Sequence, residues 1–72
     1  MHQNDIVDVI IDRRKSLKVT QEVLSELSGI SLRTIKQLES GKGNPTLNTI
    51  LRLTDVLGLD IKLAVKKMRH GL

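Results

Sequence analysis

The 72-residue sequence contains no cysteine and no phenylalanine, tyrosine or tryptophan. Without cysteine the chain forms no disulfide and offers no thiolate ligand to a metal ion. Its two histidines, His2 and His70, stand at opposite ends of the sequence, and neither is part of a cluster of metal-ligand residue types. We therefore expect neither a metal site nor another cofactor.

Long apolar runs are also missing from the sequence. No stretch approaches the roughly 20 apolar residues of a membrane-spanning helix, and the N-terminus lacks the apolar segment of a secretion signal. The expected location is therefore the cytoplasm, with no membrane partner. A chain of this length forms a single domain that buries little apolar surface, so a second subunit would help to stabilise it.

The polar residues form no recognisable catalytic arrangement. The sequence shows no grouped nucleophile, base and orienting residue, no glycine-rich phosphate loop and no pair of carboxylates at a useful spacing. Its serines and acids instead have ready roles as helix caps and solvated charges. We expect a binding protein rather than an enzyme.

Positive charge is present in excess and is unevenly distributed. The formal net charge is +4. Residues 12–18 hold four basic residues against one acid, residues 1–11 and 19–30 hold only acids, and the tail from Asp60 is again basic. Such patches suit a polyanion, although a basic run is often only a solvated surface. Because aromatic side chains for base stacking are absent, duplex DNA is a better candidate than single strands or RNA loops.

The segment TQEVLSELSGISLRTIKQLE, which begins at Thr20, predicts two short amphipathic helices around a turn. Thr20 and Ser31 are N-cap residue types, and Leu24 and Leu27 recur at helical spacing between them. Gly29 suits a sharp turn because glycine adopts positive φ without steric cost. The segment therefore has the pattern of a helix-turn-helix.

The second of these helices has one apolar stripe, formed by Ile35 and Leu38. With that stripe buried, side chains on the remaining faces are free to contact something other than the core. Four residues occupy those positions: Leu32, Arg33, Lys36 and Gln37. This layout is typical of a recognition helix.

Two further helices are predicted on either side. The first spans about residues 4–17 and is capped by Asn4 or Asp5. Its expected buried residues are Ile6, Val9, Ile10 and Leu17. The last helix is capped by Thr46 after Pro45 and ends at Gly58. Its expected inward residues are Leu47, Ile50, Leu51, Thr54 and Leu57, while Leu53 and Val56 suit either the core or a contact with another chain.

After Gly58 the apolar period changes from helical to two, with apolar residues at Leu59, Ile61, Leu63 and Val65. This alternation predicts a strand. Since a strand needs a neighbour and nothing else in the sequence appears extended, the expected neighbour is the same strand of a second copy, in a symmetric dimer. A fifth amphipathic helix is the alternative, because Leu59, Leu63 and Met68 also have helical spacing.

Several segments match a known family in order: RRKSLKVTQ, SGIS, ESGKGNPTL and LGL. From about Ile10 to about Leu59 the sequence resembles the phage-repressor-like (Cro/C1, xenobiotic-response-element) helix-turn-helix family. The resemblance implies an all-α, compact, lambda-repressor-like DNA-binding domain of four to five helices. We expect this domain over residues 1–58, the dimerisation strand over 59–67 and a basic tail over 68–72.

The resemblance also implies roles for individual residues. The exposed positions of the recognition helix would read base edges, namely Leu32, Arg33, Lys36 and Gln37, although each could be an ordinary solvent-facing side chain. Phosphate contacts would come from Lys18, Gln21, Ser31, Thr34, Lys42, Gly43 and Asn44. Arg14 and Glu39 would form a structural salt bridge. Leu32 departs from the polar residue of many relatives, and Lys18 departs from a helix-ending glycine.

The function that follows from this resemblance is repression by a homodimer bound to an inverted-repeat operator in double-stranded DNA. The dimer contact would come from Leu59, Ile61, Leu63 and Val65. A small helix-turn-helix followed by a dimerising strand, together with the segment NPTLNTILRLTDVLGL, also resembles the HipB-type antitoxins, which repress their own operon and bind a kinase-like HipA toxin. The alternatives are an autonomous repressor without a toxin and a protein-interaction module of the same fold.

Overall fold

The computed structural model describes residues 3–65 and contains four helices in that range. They are α1 (Gln3–Ser16), α2 (Gln21–Ser28), α3 (Leu32–Glu39) and α4 (Leu47–Val56). The predicted all-α domain of four to five helices is therefore confirmed, with four helices among these residues. No helix among these residues is long and apolar enough to cross a membrane.

Hydroxyl side chains begin three of the helices. The side-chain oxygens of Thr20, Ser31 and Thr46 each accept a hydrogen bond, 3.1 Å long, from the backbone N–H three residues further on. Such a cap satisfies one of the amides that have no partner within the helix, and replacing it by alanine typically costs about 1 kcal/mol. All three caps were predicted from the sequence, because capping depends only on neighbouring residues.

Helices α1, α3 and α4 end in the same way, with a left-handed residue that closes the last turn. These residues are Lys18 (φ 57°), Gly41 (φ 78°) and Gly58 (φ 70°). The N–H of Lys18 donates to the carbonyl of Lys15 at 2.9 Å, as expected for a Schellman motif. Lys18 is the only non-glycine residue with positive φ among those described. A residue with a Cβ pays roughly 1–2 kcal/mol in this conformation, so the end of α1 is strained.

The hydrophobic core lies where the four helices meet. It consists of nine buried side chains: Val7, Ile10, Leu24, Ile30, Ile35, Leu38, Ile50, Leu53 and Leu57. Leu24, Ile35 and Leu53, one from each of the last three helices, have no exposed surface at all. Full burial of such a side chain contributes about 1.5–3 kcal/mol, so these three hold α2, α3 and α4 together.

The prediction for the buried side of α1 was partly wrong. Val9 and Leu17 are exposed, whereas Val7 is buried with Ile10. The inward face of α1 also carries Arg14, which pairs with an acid of α3 and is nearly buried. An apolar pattern does not register a charged residue on the inward face. It therefore included Val9 and Leu17 and missed Val7, although Ile10 is buried as predicted and Ile6 packs against the core.

The prediction for α4 was also partly wrong. Leu47 is 69% exposed and Leu51 is exposed as well, whereas Leu53 is fully buried. Leu47 is the first residue of the helix and lies beyond the edge of the core. Leu51 follows Ile50 by a rotation of about 100° and therefore points away from the core. In α2, Leu24 is buried, whereas Leu27, which recurs at helical spacing with it, is exposed.

Residues 59–65 form neither helix nor strand in the single chain. The N–H of Leu59 donates to the carbonyl of Thr54 at 2.8 Å, and its side chain packs partly against the core. No fifth helix is present over these residues. The strand needs a second copy and stays a prediction, and its residues 66 and 67, the basic tail and Met68 of the alternative helix lie outside the described residues.

Candidate nucleic-acid interface

The turn between α2 and α3 is held by three hydrogen bonds. Gly29 adopts φ 73°, and its N–H donates to the carbonyl of Ser25 at 3.0 Å. The hydroxyl of Ser25 donates to the carbonyl of Ile30 at 2.6 Å, and the N–H of Ile30 donates to Oγ of Ser28 at 3.1 Å. These bonds fix α3 relative to α2. The sequence analysis did not identify the roles of Ser25 and Ser28, although both stand shortly before the turn glycine in the sequence.

Helix α3 separates its apolar and polar residues onto opposite sides. Ile35 and Leu38 are buried, whereas Arg33, Lys36 and Gln37 are exposed. Two other predicted site residues, Leu32 and Thr34, are half-buried. Three polar side chains with donor groups therefore project together from the side of α3 opposite the core.

Thr34 takes part in the capping of α3. The hydroxyl of Ser31 donates to the hydroxyl oxygen of Thr34 at 2.8 Å, and Ser31 Oγ accepts the N–H of Thr34 at 3.1 Å. The two residues thus form a local pair at the start of α3. The N-terminal amides of a helix favour an anion, and the phosphate contact predicted for both residues stays a prediction.

Arg14 and Glu39 form a two-pronged ion pair between α1 and the last residue of α3. Arg14 Nε lies 2.7 Å from Glu39 Oε2, and Arg14 Nη2 lies 2.7 Å from Oε1. The third donor, Nη1, reaches the carbonyl of Val19 at 2.9 Å. The side chains are only 11% and 9% exposed. The hydrogen bond to Glu39 raises the pKa of Arg14 above its ordinary value, against an opposing effect of burial. The pair therefore anchors the end of α3.

Gln21, the first residue of α2, joins the same ion pair. Its Nε2 donates to Glu39 Oε1 at 3.0 Å. Glu39 consequently accepts from both α1 and α2 while it terminates α3. This contact uses one N–H of the Gln21 amide. The structure thus places Gln21 at a bracing position, and its phosphate contact remains a prediction.

The loop after α3 carries three more predicted phosphate-binding residues. Lys42, Gly43 and Asn44 are exposed, and they line a shallow cleft together with Thr34 and Gln37 of α3. The cleft brings predicted base-reading and phosphate-binding positions side by side. Gly43 adopts φ 79°, and no atom lies within 4 Å of the place where a Cβ would stand, so the backbone there is open to close approach.

The remaining predicted site residues lie apart from this cleft. Lys18 is exposed at the turn between α1 and α2, and Leu59 to Val65 lie beyond α4. Within residues 3–65 no group of three or more histidine, cysteine or acidic residues could hold a metal ion. His2 and His70 are outside the described residues.

Comparison with known proteins places this geometry in context. A family model described as helix-turn-helix matches residues 10–63. The cryptic phage CTXphi transcriptional repressor RstR of Vibrio cholerae is 34% identical over 56 residues, which is 78% of this chain and 50% of that protein. An HTH-type transcriptional regulator of Haemophilus influenzae is 29% identical over 66 residues, which is 92% of this chain and 67% of that protein.

A second HTH-type transcriptional regulator, from Methanothermobacter thermautotrophicus, is 40% identical over 50 residues. That match spans 69% of this chain and 72% of that regulator. The chain spans about half the length of the Vibrio repressor, so the activity of that whole protein does not transfer directly.

Proposed function

The chain belongs to the helix-turn-helix family of the Cro/C1 type, and from this premise we propose that it is a sequence-specific transcriptional repressor that binds double-stranded DNA as a homodimer. The observation that carries the proposal is the projecting polar side of α3, with Arg33, Lys36 and Gln37 exposed over a buried apolar stripe. Because α3 is anchored through Glu39 at its end, it is presented to the major groove in a fixed orientation.

Sequence would be read by the exposed side of α3. The guanidinium of Arg33 can donate two hydrogen bonds to O6 and N7 of guanine, and the amide of Gln37 can pair with N6 and N7 of adenine. Lys36 adds a donor for guanine, while Leu32 offers an apolar contact for the methyl group of thymine. Each good two-point contact discriminates against a wrong base by about 1–3 kcal/mol.

The phosphate backbone would be held by residues on both sides of α3. Gln21 at the start of α2 bonds the end of α3, and Lys42, Gly43 and Asn44 line the cleft beside Thr34 and Gln37. Ser31 and Thr34 would add donors at the start of α3, and Lys18 would add charge. Such contacts fix the register on the duplex but carry no sequence information.

Repression would follow from occupancy of a promoter by two copies. A symmetric dimer places its recognition helices in successive major grooves, roughly 34 Å apart, which calls for an inverted-repeat operator. The proposal also includes a location in the cytoplasm and a function in binding rather than in catalysis.

The test is a comparison of three variants on a selected operator and on random duplex. Arg33→Ala is expected to cost about 1–3 kcal/mol on the operator and to relax preference at one base pair. Lys42→Ala should weaken binding to all sequences and reduce the salt slope by about one unit. Lys15→Ala removes an equal charge from an exposed position outside the predicted contacts and serves as the control. If Arg33→Ala lost the same binding free energy on the operator and on random duplex, the assignment of Arg33 as a base-reading residue would be contradicted.

A narrower proposal is that the repressor is a HipB-like antitoxin that autoregulates a toxin–antitoxin operon. The apolar alternation from Leu59 to Val65, which follows a compact helix-turn-helix, favours this reading. A pull-down from the native cell after nuclease treatment tests it. A kinase-like protein in stoichiometric amount would support an antitoxin, whereas recovery of the homodimer alone would support an autonomous repressor. Weak binding to every duplex without preference would instead favour a protein-interaction module.

A further inference from the structure

The segment after α4 exposes both its backbone and its apolar side. Residues 60–65 make no backbone hydrogen bond with any other described residue. Leu59 is half-buried against the core, whereas Leu63 and Val65 are 98% and 99% exposed. The apolar residues of this segment therefore begin on the core and continue into solvent, which is unfavourable in water unless something covers them.

A groove beside this segment has matching properties. It runs between α4 and residues 59–61, and its apolar lining residues are Leu51, Leu59 and Ile61, whereas its polar lining residues are Arg52, Thr54, Asp55 and Asp60. Leu51 and Ile61 are both exposed, so the apolar part of the groove is open to solvent. The groove is continuous with the apolar side of the segment, so one occupant could cover both.

Charge indicates that the occupant is a second copy of the same segment. In an antiparallel pair of identical strands, the sequence numbers of any two residues that face each other add up to the same total. When the two-fold axis passes through Ile61, Asp60 faces Lys62 of the partner, and this favourable pair occurs twice. On the other side of the pair, Leu59 faces Leu63 of the partner, next to the core.

Other registers are less favourable. An axis through Asp60 or through Lys62 places that charge directly opposite itself, which destabilises the pair. An axis through Leu63 places Lys62 opposite Ala64 and pairs no opposite charges among residues 59–65, and it leaves Leu59 without a facing residue in that range. An axis between two residues would bring apolar and polar residues together on each side of the pair. Within residues 59–65, only the axis through Ile61 both pairs opposite charges and keeps apolar residues facing apolar residues.

We propose that two copies pair their segments 59–63 in antiparallel register about Ile61, and that Leu63 of each copy fills the groove beside Leu51 of the other. This inference rests on the dimeric repressor proposed above and names the contact that forms the dimer. Each copy thereby completes an apolar surface that neither has alone.

Single cysteines test the register, because the chain has none of its own. Opposite residues of an antiparallel pair have Cα atoms about 4.5–5.5 Å apart, within the range of a disulfide. Residues 59–65 are replaced by cysteine one at a time, and disulfide-linked dimer is quantified after mild oxidation. Ile61→Cys should cross-link most. A maximum at position 62 or 63, or no cross-linking at any position, would overturn the proposal.

Charge exchange provides an independent test by light scattering or sedimentation. Asp60→Lys places lysine opposite Lys62 twice and should raise the dimer dissociation constant by about tenfold. Lys62→Asp should act similarly, and the double variant D60K/K62D should restore the dimer. Leu63→Ser should weaken the dimer, whereas Ala64→Ser, on the opposite side of the strand, should not. An additive loss in the double variant would overturn the pairing.

The two proposals fail in different ways. Binding of the unmodified protein to a selected inverted repeat tests the repressor, while cross-linking tests only the register. If the protein binds its operator as a dimer but Ile61→Cys does not cross-link, the register is wrong and the repressor stands. If Ile61→Cys cross-links but no duplex is selected, the dimer contact stands and the DNA-binding function fails.

Discussion

Glu39→Ala should destabilise the fold far more than an ordinary loss of surface charge. The substitution removes the two carboxylate acceptors of Arg14 and the acceptor of Gln21, and it leaves an Arg14 side chain that is 11% exposed without its counter-ion. Breaking a buried pair by removal of one partner costs about 3–5 kcal/mol, whereas an exposed pair is worth about 0.2–1 kcal/mol. We expect a value near 3 kcal/mol, since Arg14 keeps its bond to the carbonyl of Val19.

That loss is large relative to the total stability. A domain of this size typically has about 4–11 kcal/mol of stability, so the variant should unfold at a much lower denaturant concentration. Urea unfolding followed by far-ultraviolet circular dichroism measures the change, because the chain has no aromatic residue for fluorescence. An unchanged m-value would show that the midpoint shift reports stability. Glu26→Ala, at an exposed position on α2, is the matched control.

A double variant shows whether the cost comes from the unpaired charge. Replacement of both Arg14 and Glu39 by methionine removes the charge together with its partner, so the double variant should be more stable than Glu39→Met alone. Equal and additive losses, or a cost of about 0.5 kcal/mol for Glu39→Ala, would refute the reasoning. Because the pKa of Arg14 is raised, its contribution is complete below the unfolded pKa and is lost only as pH rises through the folded pKa, beyond the neutral range.

Three further predictions concern backbone strain and packing. Lys18→Gly should raise the free energy of unfolding by about 1 kcal/mol and lower the salt slope of DNA binding by about one unit. Lys18→Ala should lower the salt slope without the gain in stability. Gly58→Ala should cost about 1–2 kcal/mol by chemical denaturation, since φ is 70° and the new Cβ would stand 3.4 Å from Nη2 of Arg13. Leu53→Ala should cost about 2–5 kcal/mol and Leu47→Ala about 0.5 kcal/mol or less, because only the first is buried; similar losses would contradict the observed packing of α4.

The helices were predictable because their determinants are local. Thr20, Ser31 and Thr46 bond to amides three residues away, and glycine at 29 and 58 ends a helix through its own φ. The inward side of α1 was not predictable from apolar residues, because its arrangement depends on an ion pair with a residue 25 positions later. The partner of residues 59–65 could not be predicted from the single chain either, because a strand there needs a second copy to pair with.

The candidate interface divides in the same way. The exposed side of α3 follows from two residues, Ile35 and Leu38, because burying them determines which way the others face. The contact between Gln21 and Glu39 spans 18 positions and depends on how α2 packs against α3. The serine bonds at the turn are local, but serine occurs in so many settings that the sequence did not distinguish them.

The short recognition helix depends on its surroundings for its order. Isolated helices under about 12–15 residues are marginal in water, and α3 has only eight. The cap at Ser31 stabilises the first turn of α3, and the hydrogen bonds of Ser25 and Ser28 fix the turn that precedes it. Glu39 bonds the last turn of α3 to α1 and α2. A helix ordered before it meets DNA loses little conformational freedom on binding, so more of its contact energy is available for distinguishing bases. We therefore expect the ion pair to support DNA recognition without contacting a base, and weakening it should reduce affinity even when Arg33 and Gln37 are intact.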